Sequence, residues 1–525
     1  MWCEKLCARI YSPMLRLSSS SYVAPDFGPD SMQLRCGRLD ITTNVSEPGP
    51  ADLGHSLHDP HRLELPRVIL DWALAASRRI LQYFVTHQLV SGLAIFALAF
   101  LIRLGMLIYL GHIGRHEAAE VDNIAMALLT THRFADPYAL PTGPTAHTTP
   151  FYPLLVAVLY RLFGSGYAGH LVRSLLVIGA YSFLYSLYPW LASSFGFSNQ
   201  AGLIAGFASA LLPVKRSAEV FLGWEEPYAA MALAILLLLI LKHRSALRRK
   251  SSMALCIGLV WGIAFYISFS LAAVLGSMTL VDLALRRSWT TVRDNVCIVL
   301  AAMVVISPWI IRNRVELHGW TLMRTAFGQN MWCSNNDHAH PAAELINADP
   351  IARAMYPFNS RREALKVRQM GELAYDRHDL QLAFAWIRQH RGQFARLSLR
   401  RFLYFWMGPF EHTYELVVTT LYTLIGLLGL WFVFRFVGAI QFELWVVTLI
   451  SFPLIYYFIQ YVNRYRTPID WMVWLSAGQV LAIVAGRWRA TRGLADSRLK
   501  QAAAEQRFTG RPCTLQCNRK TECQA

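Results

Sequence analysis

Long apolar stretches recur through the middle of this chain, and they constrain its fold more than any other feature. Several windows of about 17–25 residues are apolar enough to cross the hydrocarbon core of a bilayer as helices. Open sheets cannot do so, because their edge N–H and C=O groups would stay unpaired in lipid. Hydrophobic residues make up 54% of the chain and charged residues only 16%, against about 25% charged in soluble domains. We therefore predict an all-α polytopic membrane protein in a lipid bilayer.

The pattern predicts about ten transmembrane helices. A further apolar piece, 150–163, is too short to cross straight and is predicted to be a re-entrant or juxtamembrane helix. An even number of crossings places both termini on one side of the membrane. The predicted crossings are 88–111, 168–190, 199–216, 226–242, 253–268, 269–285, 294–312, 413–437, 442–461 and 470–486.

Clusters of Lys and Arg between these stretches indicate which side is cytoplasmic. The positive-inside rule assigns the basic loops and both termini to the cytoplasm, in a multi-pass protein of the cell (inner) membrane. Lys215 and Arg216 fall on the other side, which indicates either a functional role there or one miscounted span. The net charge of +17 follows from the same rule. It does not indicate nucleic-acid binding, since no basic patch alternates with stacking aromatics.

Composition divides the chain into five segments. Residues 1–66 are rich in Ser, Pro, Gly and Asp and are predicted to be a disordered tail. Residues 67–312 form a transmembrane core whose first external loop is 112–149, and 413–486 form the C-terminal transmembrane helices. Between them, 313–412 is predicted to be an external helical segment, with Asp379 as an N-cap and an amphipathic helix near 394–406. Residues 487–525 form a basic cytoplasmic tail.

Two groups of carboxylates lie where apolar stretches meet the predicted external side. Glu117, Glu120 and Asp122 follow the first crossing, and Glu225 and Glu226 open a later one. A carboxylate at such a boundary can act as a general base or hold a divalent cation, so a metal cofactor stays open. The alternative is an ordinary helix N-terminus, where acids are favoured by the helix dipole.

Cations gather on the same predicted side, where positive charge is statistically avoided. Arg464 and Arg466, Arg312 and Lys215 indicate an anionic ligand, because guanidinium groups match phosphate oxygens in fork geometry. Snorkelling cations at helix ends are the alternative. His147 is either a ligand or proton carrier, or a turn histidine without a role. Gly-rich phosphate loops, nucleophile elbows and zinc-protease motifs are missing from the sequence.

These motifs, in this order, resemble those of the GT-C superfamily of integral-membrane glycosyltransferases. The chain is most similar to the bacterial branch related to protein O-mannosyltransferases and the aminoarabinose transferase of lipid A, over about residues 88–486. The family's Asp-Glu pair corresponds to His116-Glu117 here, so its Asp is missing. Its Pro-aromatic motif corresponds to 149–152, which brings Tyr152 into the expected substrate pocket with His147, Asp122 and Glu226. Relatives also carry an acid at the start of a later span, as at Glu225.

The resemblance implies transfer of a sugar from a polyprenyl-phosphate-linked donor, with inversion at the anomeric carbon. The acceptor is a lipid, a polysaccharide or a protein. Glu117 is the first choice for the base, with Glu120 and Glu225 in support, and the four cations named above would bind the donor phosphate. Two alternatives stay open. One is a transporter or flippase of a lipid-linked saccharide, which would be expected to show an inverted repeat that is not seen here. The other is a non-catalytic subunit of an envelope assembly.

Overall fold

In the structure, a computed structural model, the described residues form helices joined by turns and loops. The structure describes Arg79 and residues 82–114, 119–213, 215, 218–246, 249–346 and 348–509, with the backbone alone for 119, 489 and 491–509. Within these ranges there is no β-strand, only two isolated bridges, Ala135 with Pro144 and Ala342 with Tyr461. The predicted tail 1–66, Glu117, Arg216 and residues 510–525 lie outside the described residues. The all-α prediction is confirmed.

The helices follow the chain in three groups. The first group carries the N-terminal apolar helices α1 Gln88–Tyr109, α2 Ala119–Thr130, α3 Phe151–Phe163, α4 Tyr167–Ser186, α5 Tyr188–Phe195, α6 Asn199–Leu211, α7 Glu226–Ser245, α8 Ser251–Ile267, α9 Ala272–Leu285 and α10 Trp289–Glu316. The second group, α11 Phe327–Ser334, α12 Ala343–Ile346, α13 Pro350–Ala354, α14 Arg361–Met370, α15 Glu372–Gln389 and α16 Arg391–Met407, forms the predicted external segment. The last group is α17 Thr413–Phe432, α18 Ala439–Ser451 and α19 Thr467–Thr509.

Seven stretches of the described chain are long and apolar enough to cross a membrane. They are Gln88–Tyr109, Tyr167–Phe195, Glu226–Ser245, Trp289–Glu316, Thr413–Val437, Ala439–Tyr457 and Asn463–Trp488. Each corresponds to one of the ten predicted crossings. The other three predicted crossings form shorter helices: α6, α8 and the pair made by a 3₁₀ turn and α9. The chain is therefore a polytopic helical membrane protein, while the number ten stays a prediction.

The predicted external segment is helical, with one boundary different from the prediction. The amphipathic stretch near 394–406 lies in α16. Asp379, however, lies in the interior of α15 and is buried, so the prediction that it caps a helix was wrong. The helix begins seven residues earlier, directly after Gly371. The φ of +82° at this glycine ends α14 and separates it from α15.

Small residues let the transmembrane helices approach closely. A Cβ built at Gly429 of α17 would lie 2.5 Å from the carbonyl oxygen of Ser476 in α19, and one at Gly478 would lie 2.4 Å from that of Ala201 in α6. Lipid tails are as apolar as leucine, so helix association in a membrane depends on such close packing. The α19 helix thus packs against both the first and the last group of helices.

A charged pair is buried inside this packing. Arg103 of α1 is fully buried, and its Nη2 lies 2.6 Å from Oε2 of Glu219. The guanidinium also donates to the carbonyl oxygens of Ser209 and Ala210, at 2.9 and 3.1 Å. Tyr185 donates to the other carboxylate oxygen at 3.0 Å. An ionisable residue in an apolar helix is tolerated when its charge and its donors are matched in this way.

Breaking this pair is expected to destabilise the bundle strongly. In Arg103→Met the Glu219 carboxylate stays buried without its cation, which costs about 3–5 kcal/mol of unfolding free energy. The second change Glu219→Met should return part of that loss, because no unpaired charge is left. Thermal unfolding of the purified protein measures both. Leu101→Ala, on an exposed side chain of the same helix, is the control, and a loss in Arg103→Met no larger than in this control would contradict the prediction.

Candidate functional site

The predicted acids come together at one end of the bundle. Glu120 and Asp122 lie in the first turn of α2, and Glu226 lies in the first turn of α7, directly after Glu225. Helix N-termini favour negative charge because of the helix dipole. We call Glu120, Asp122, Glu225 and Glu226 the acidic cluster.

Glu120 belongs to a chain of hydrogen bonds. Its Oε1 lies 3.0 Å from Nε2 of His147. The other ring nitrogen of His147, Nδ1, lies 3.1 Å from the Tyr138 hydroxyl, which is 3.4 Å from Oε1 of Gln329. The loop 131–150 thus places a histidine of the predicted substrate pocket directly on a predicted catalytic carboxylate.

The surroundings of Glu120 favour its charged form. Burial is the largest influence and would raise the pKa of this carboxyl, but His147, Arg464 and Arg324 together outweigh it, and the pKa lies below its ordinary value. Opposite charges favour the ionised form of a carboxyl group.

Asp122 has different partners. Arg173 of α4 forms an ion pair with it through Nη1, and the Tyr160 hydroxyl donates to the same carboxylate oxygen at 2.7 Å. Arg173 Nε also lies 3.4 Å from the hydroxyl of Tyr152, which donates to the carbonyl oxygen of Gly223 at 2.9 Å. Asp122 therefore faces away from Glu120, and Tyr152 joins α3 to the residues just before α7.

Arg464 connects the two groups of acids. Its Nε lies 2.9 Å from Oε1 of Glu226, its Nη1 donates to the Leu222 carbonyl oxygen at 3.0 Å, and its guanidinium carbon lies 4.0 Å from the centre of the Trp224 ring. Glu225 and Glu120 also interact electrostatically with it. Its Nη2 donates no hydrogen bond to a described residue, so this atom has donors to offer a ligand.

Glu225 differs from the other acids of the cluster. Its half-buried carboxylate makes no hydrogen bond or ion pair with any described residue, whereas Glu120, Asp122 and Glu226 each contact a histidine or arginine side chain. It lies beside Glu226 and near Arg464. An ionised carboxylate only accepts hydrogen bonds, so the Glu225 oxygens are available to an O–H or N–H donor of a ligand.

Two of the other predicted cations are held by protein groups. Arg466 is buried, and it contacts Oδ1 of Asp470 at 2.5 Å, the carbonyl oxygens of residues 405 and 406, and the Thr423 hydroxyl. Lys215 is buried against Asp470 and donates to the Thr467 hydroxyl at 3.0 Å. These two cations neutralise Asp470 at the start of α19.

Arg312 and Arg324 organise the loop that carries His147. Arg312 donates to the carbonyl oxygens of Phe134 and Thr145 at 2.7 and 2.6 Å, and thereby holds both arms of the loop against α10. Arg324 donates through Nε to the carbonyl oxygen of His147 at 3.0 Å. The terminal nitrogens of this exposed side chain bond to no described residue. The sequence carried no signal for Arg324, since it lies outside any helical pattern and far along the chain from the acids.

The described residues contain no set of side chains arranged to bind a metal ion. No group of three or more His, Cys, Asp or Glu residues there has the arrangement needed to hold an ion. Three acids of the cluster are instead matched by His147, Arg173 and Arg464. Glu117 lies outside the described residues, so a divalent cation in this region stays an open prediction.

No protein-family model and no curated protein matches this chain. Solved structures similar to it include the Archaeoglobus fulgidus oligosaccharyltransferase AglB, with an inhibitory peptide and a dolichol-phosphate (15% identity, TM-score 0.45, 77% of this chain and 52% of that one). The apo form of that enzyme gives 14% identity and a TM-score of 0.46, with the same coverage. ArnT from Cupriavidus metallidurans bound to undecaprenyl phosphate gives 12% identity, a TM-score of 0.35 and coverage of 75% and 77%.

The chain thus spans about half the length of the oligosaccharyltransferase that it matches. At identities of 12–15% the likeness concerns the fold alone.

The Glu120–His147 contact predicts a pH dependence of stability. With a lowered pKa in the folded state, Glu120 stabilises the fold above its ordinary value of 4.5, and this contribution is lost as the pH falls through the lowered pKa. In His147→Phe the largest influence that opposes burial is lost, so that pKa rises and the stabilising contribution shrinks. The difference in melting temperature between wild type and variant should widen from about pH 4 to 6.

Thermal unfolding across this pH range, followed by circular dichroism, measures the effect. The double variant Glu120→Gln/His147→Phe is the control, because without the carboxyl group the widening should disappear. Parallel melting curves for wild type and His147→Phe at all pH values would contradict the prediction.

Proposed function

We propose that this protein is a membrane glycosyltransferase that moves a sugar from a polyprenyl-phosphate-linked donor to an acceptor. The observation that carries the proposal is the half-buried carboxylate of Glu225, which has no partner among the described residues and interacts electrostatically with Arg464. Arg464 and Arg324 both act on Glu120, and each keeps nitrogens that bond to no described residue. Sugar transfer from a phosphate needs both groups, one to take a proton and the other to hold the departing phosphate. The donor class is the one that the sequence motifs imply.

The departing phosphate requires positive charge at the point where negative charge grows. Arg464 offers Nη2, and Arg324 offers both terminal nitrogens. Both guanidinium groups lower the pKa of Glu120. Arg466, Lys215 and Arg312 bond to protein acceptors instead. We therefore assign phosphate binding to Arg464 and Arg324. The other three cations stabilise the positions of α19 and the loop 131–150.

The acceptor is activated by a carboxylate in this proposal. Glu225 takes the proton of the acceptor hydroxyl while the acceptor oxygen bonds to the anomeric carbon. The bond from that carbon to the donor phosphate breaks at the same time, with inversion. The electron pair leaves on the phosphate, which Arg464 and Arg324 stabilise. Glu120 is the second choice, since His147 keeps it charged but also occupies it. Glu117, outside the described residues, stays a prediction.

The location of the reaction follows from the position of the cluster. Its residues lie at the ends of helices rather than in the middle of spans, within reach of a lipid headgroup at the membrane surface. We place this surface on the non-cytoplasmic side of the cell membrane, because the basic loops lie at the other ends of the spans.

Changing the carboxylates one at a time tests the assignment of the base. Glu225→Gln should lower the rate of sugar transfer by about 10²–10⁴-fold, because the amide cannot accept the proton. The rate is measured with purified protein, a radiolabelled polyprenyl-phosphate sugar and membrane extract as the acceptor source. Glu117→Gln and Glu120→Gln are measured in parallel.

Glu344→Gln is the matched control, since its side chain is 39% exposed and lies outside the cluster. Full activity in Glu225→Gln would exclude this residue as the base. Full activity in a variant with all of Glu117, Glu120, Glu225 and Glu226 changed to Gln would end the enzyme proposal.

Removing the exposed guanidinium tests the phosphate assignment. Arg324→Gln should lower the rate constant of transfer by about 10–10³-fold, because the departing phosphate loses one source of positive charge. Arg324→Lys keeps the charge without the fork geometry and should fall in between. The control is Arg314→Gln, an exposed arginine at the same end whose guanidinium lies 5.7 Å from the Trp320 ring. Equal effects in Arg324→Gln and Arg314→Gln would contradict the assignment.

Transport of a lipid-linked saccharide is the competing function. It predicts that reconstituted protein moves a fluorescent lipid-linked sugar between leaflets without forming a new glycosidic bond. Mass spectrometry of the products distinguishes the two functions, since a product linked to a new acceptor appears only in the glycosyltransferase case.

A further inference from the structure

A small cavity with a mainly apolar wall and several charged side chains lies at the end of the bundle opposite the acidic cluster. It is lined by α7, α8, α9 and α10 and by the residues just before α8. His243, on its wall, is 17 residues along α7 from Glu226, which corresponds to about 25 Å at 1.5 Å per residue. That distance approaches the thickness of a bilayer's hydrocarbon core. The cavity is therefore separate from the site of sugar transfer proposed above.

The negative charges on the cavity wall are already matched. Asp294 lies 3.0 Å from Nε2 of His243 and 2.9 Å from Nη2 of Arg293. Asp282 lies 2.8 Å from Nη2 of Arg244 and forms a second ion pair with Arg286. Glu443 shares Arg244 and Arg286 with Asp282, so these two carboxylates are balanced by two guanidinium groups. Asp294 has His243 and Arg293 as its partners.

The unmatched groups of the lining can all donate hydrogen bonds. The Trp261 indole N–H is fully buried, and neither it nor the buried Thr279 hydroxyl has a hydrogen-bond partner among the described residues. Arg249 forms no hydrogen bond or ion pair with another described residue. An indole N–H and a guanidinium can only donate, and a buried donor without an acceptor is costly. Because Asp282 and Asp294 are already paired, these three donors have no acceptor among the described residues.

We propose that this cavity binds a phosphate group through Arg249, the Trp261 indole N–H and the Thr279 hydroxyl. The guanidinium supplies the charge, and the two buried donors bond to phosphate oxygens. The free volume of about 30 Å³ accommodates about two water-sized atoms, so two oxygens enter while the rest of the group stays at the mouth. The phosphate belongs either to a phospholipid headgroup of the adjacent leaflet or to a free anion.

Binding measurements on the full-length protein in a maltoside detergent test this proposal. Radiolabelled inorganic phosphate is used in equilibrium dialysis, and native mass spectrometry follows retention of phosphatidic acid or of diacylglycerol, which lacks the phosphate. Saturable binding of inorganic phosphate indicates a free anion as the ligand. Retention of phosphatidic acid over diacylglycerol without such binding indicates a headgroup. Either result supports the phosphate site.

Single-residue variants locate the site. Arg249→Gln and Trp261→Phe should each weaken binding at least 10-fold, since the first removes the charge and the second removes the N–H but keeps the ring. Arg287→Gln is the matched control and should bind within twofold of wild type, because Arg287 is exposed nearby and its Nε bonds to the carbonyl oxygen of Ala284. Melting temperatures without ligand show whether each variant is folded, and added phosphate should raise that of wild type but not that of Arg249→Gln.

Two results would overturn the proposal. One is no saturable binding of inorganic phosphate and no preference for phosphatidic acid, in which case the cavity holds water only. The other is wild-type affinity in both Arg249→Gln and Trp261→Phe.

Discussion

Charge pairing inside an apolar bundle is the constraint on which the rest of this structure depends. Taking an isolated charge out of water costs several kcal/mol, so a helical membrane protein keeps a buried ion only where a counter-charge meets it. Ion pairs that join segments distant along the chain are Arg103 with Glu219, Lys215 with Asp470, and Arg173 with Asp122. These pairs align the helices as well as neutralise the charges.

The proposed function depends on the polar groups that have no ion-pair partner among the described residues. Most cations near the acidic cluster have their donors occupied by carboxylates or carbonyl oxygens, and they therefore hold the scaffold. No described residue pairs with the Glu225 carboxylate, with the terminal nitrogens of Arg324 or with Nη2 of Arg464. An acceptor of protons beside donors for a phosphate is what transfer of a sugar from a phosphate requires. The remaining polar groups give the region its rigidity, since a site must be preorganised to stabilise developing charge.

At the opposite end of the bundle, the unpaired groups are of the other kind. There the carboxylates are paired with basic side chains, and the groups without partners among the described residues are donors. The two ends therefore differ in what they would take from their surroundings. The acidic-cluster end offers both a base and cations, whereas the cavity at the other end offers donors alone, which suit an oxygen-rich anion.

Sequence by itself determined the fold class, seven of the spans and the presence of acids where α2 and α7 begin. Apolar length and charge placement are local properties, and the bilayer acts on each stretch separately. It could not tell which of its arginines were free. Arg312, Arg464 and Arg466 have the same local signal in the sequence. In the structure, contacts with loops and helices far along the chain occupy the donors of Arg312 and Arg466. Arg324 carried no local signal, and tertiary structure alone brought it to Glu120, because a hydrogen-bonding partner is decided by packing rather than by neighbours in sequence.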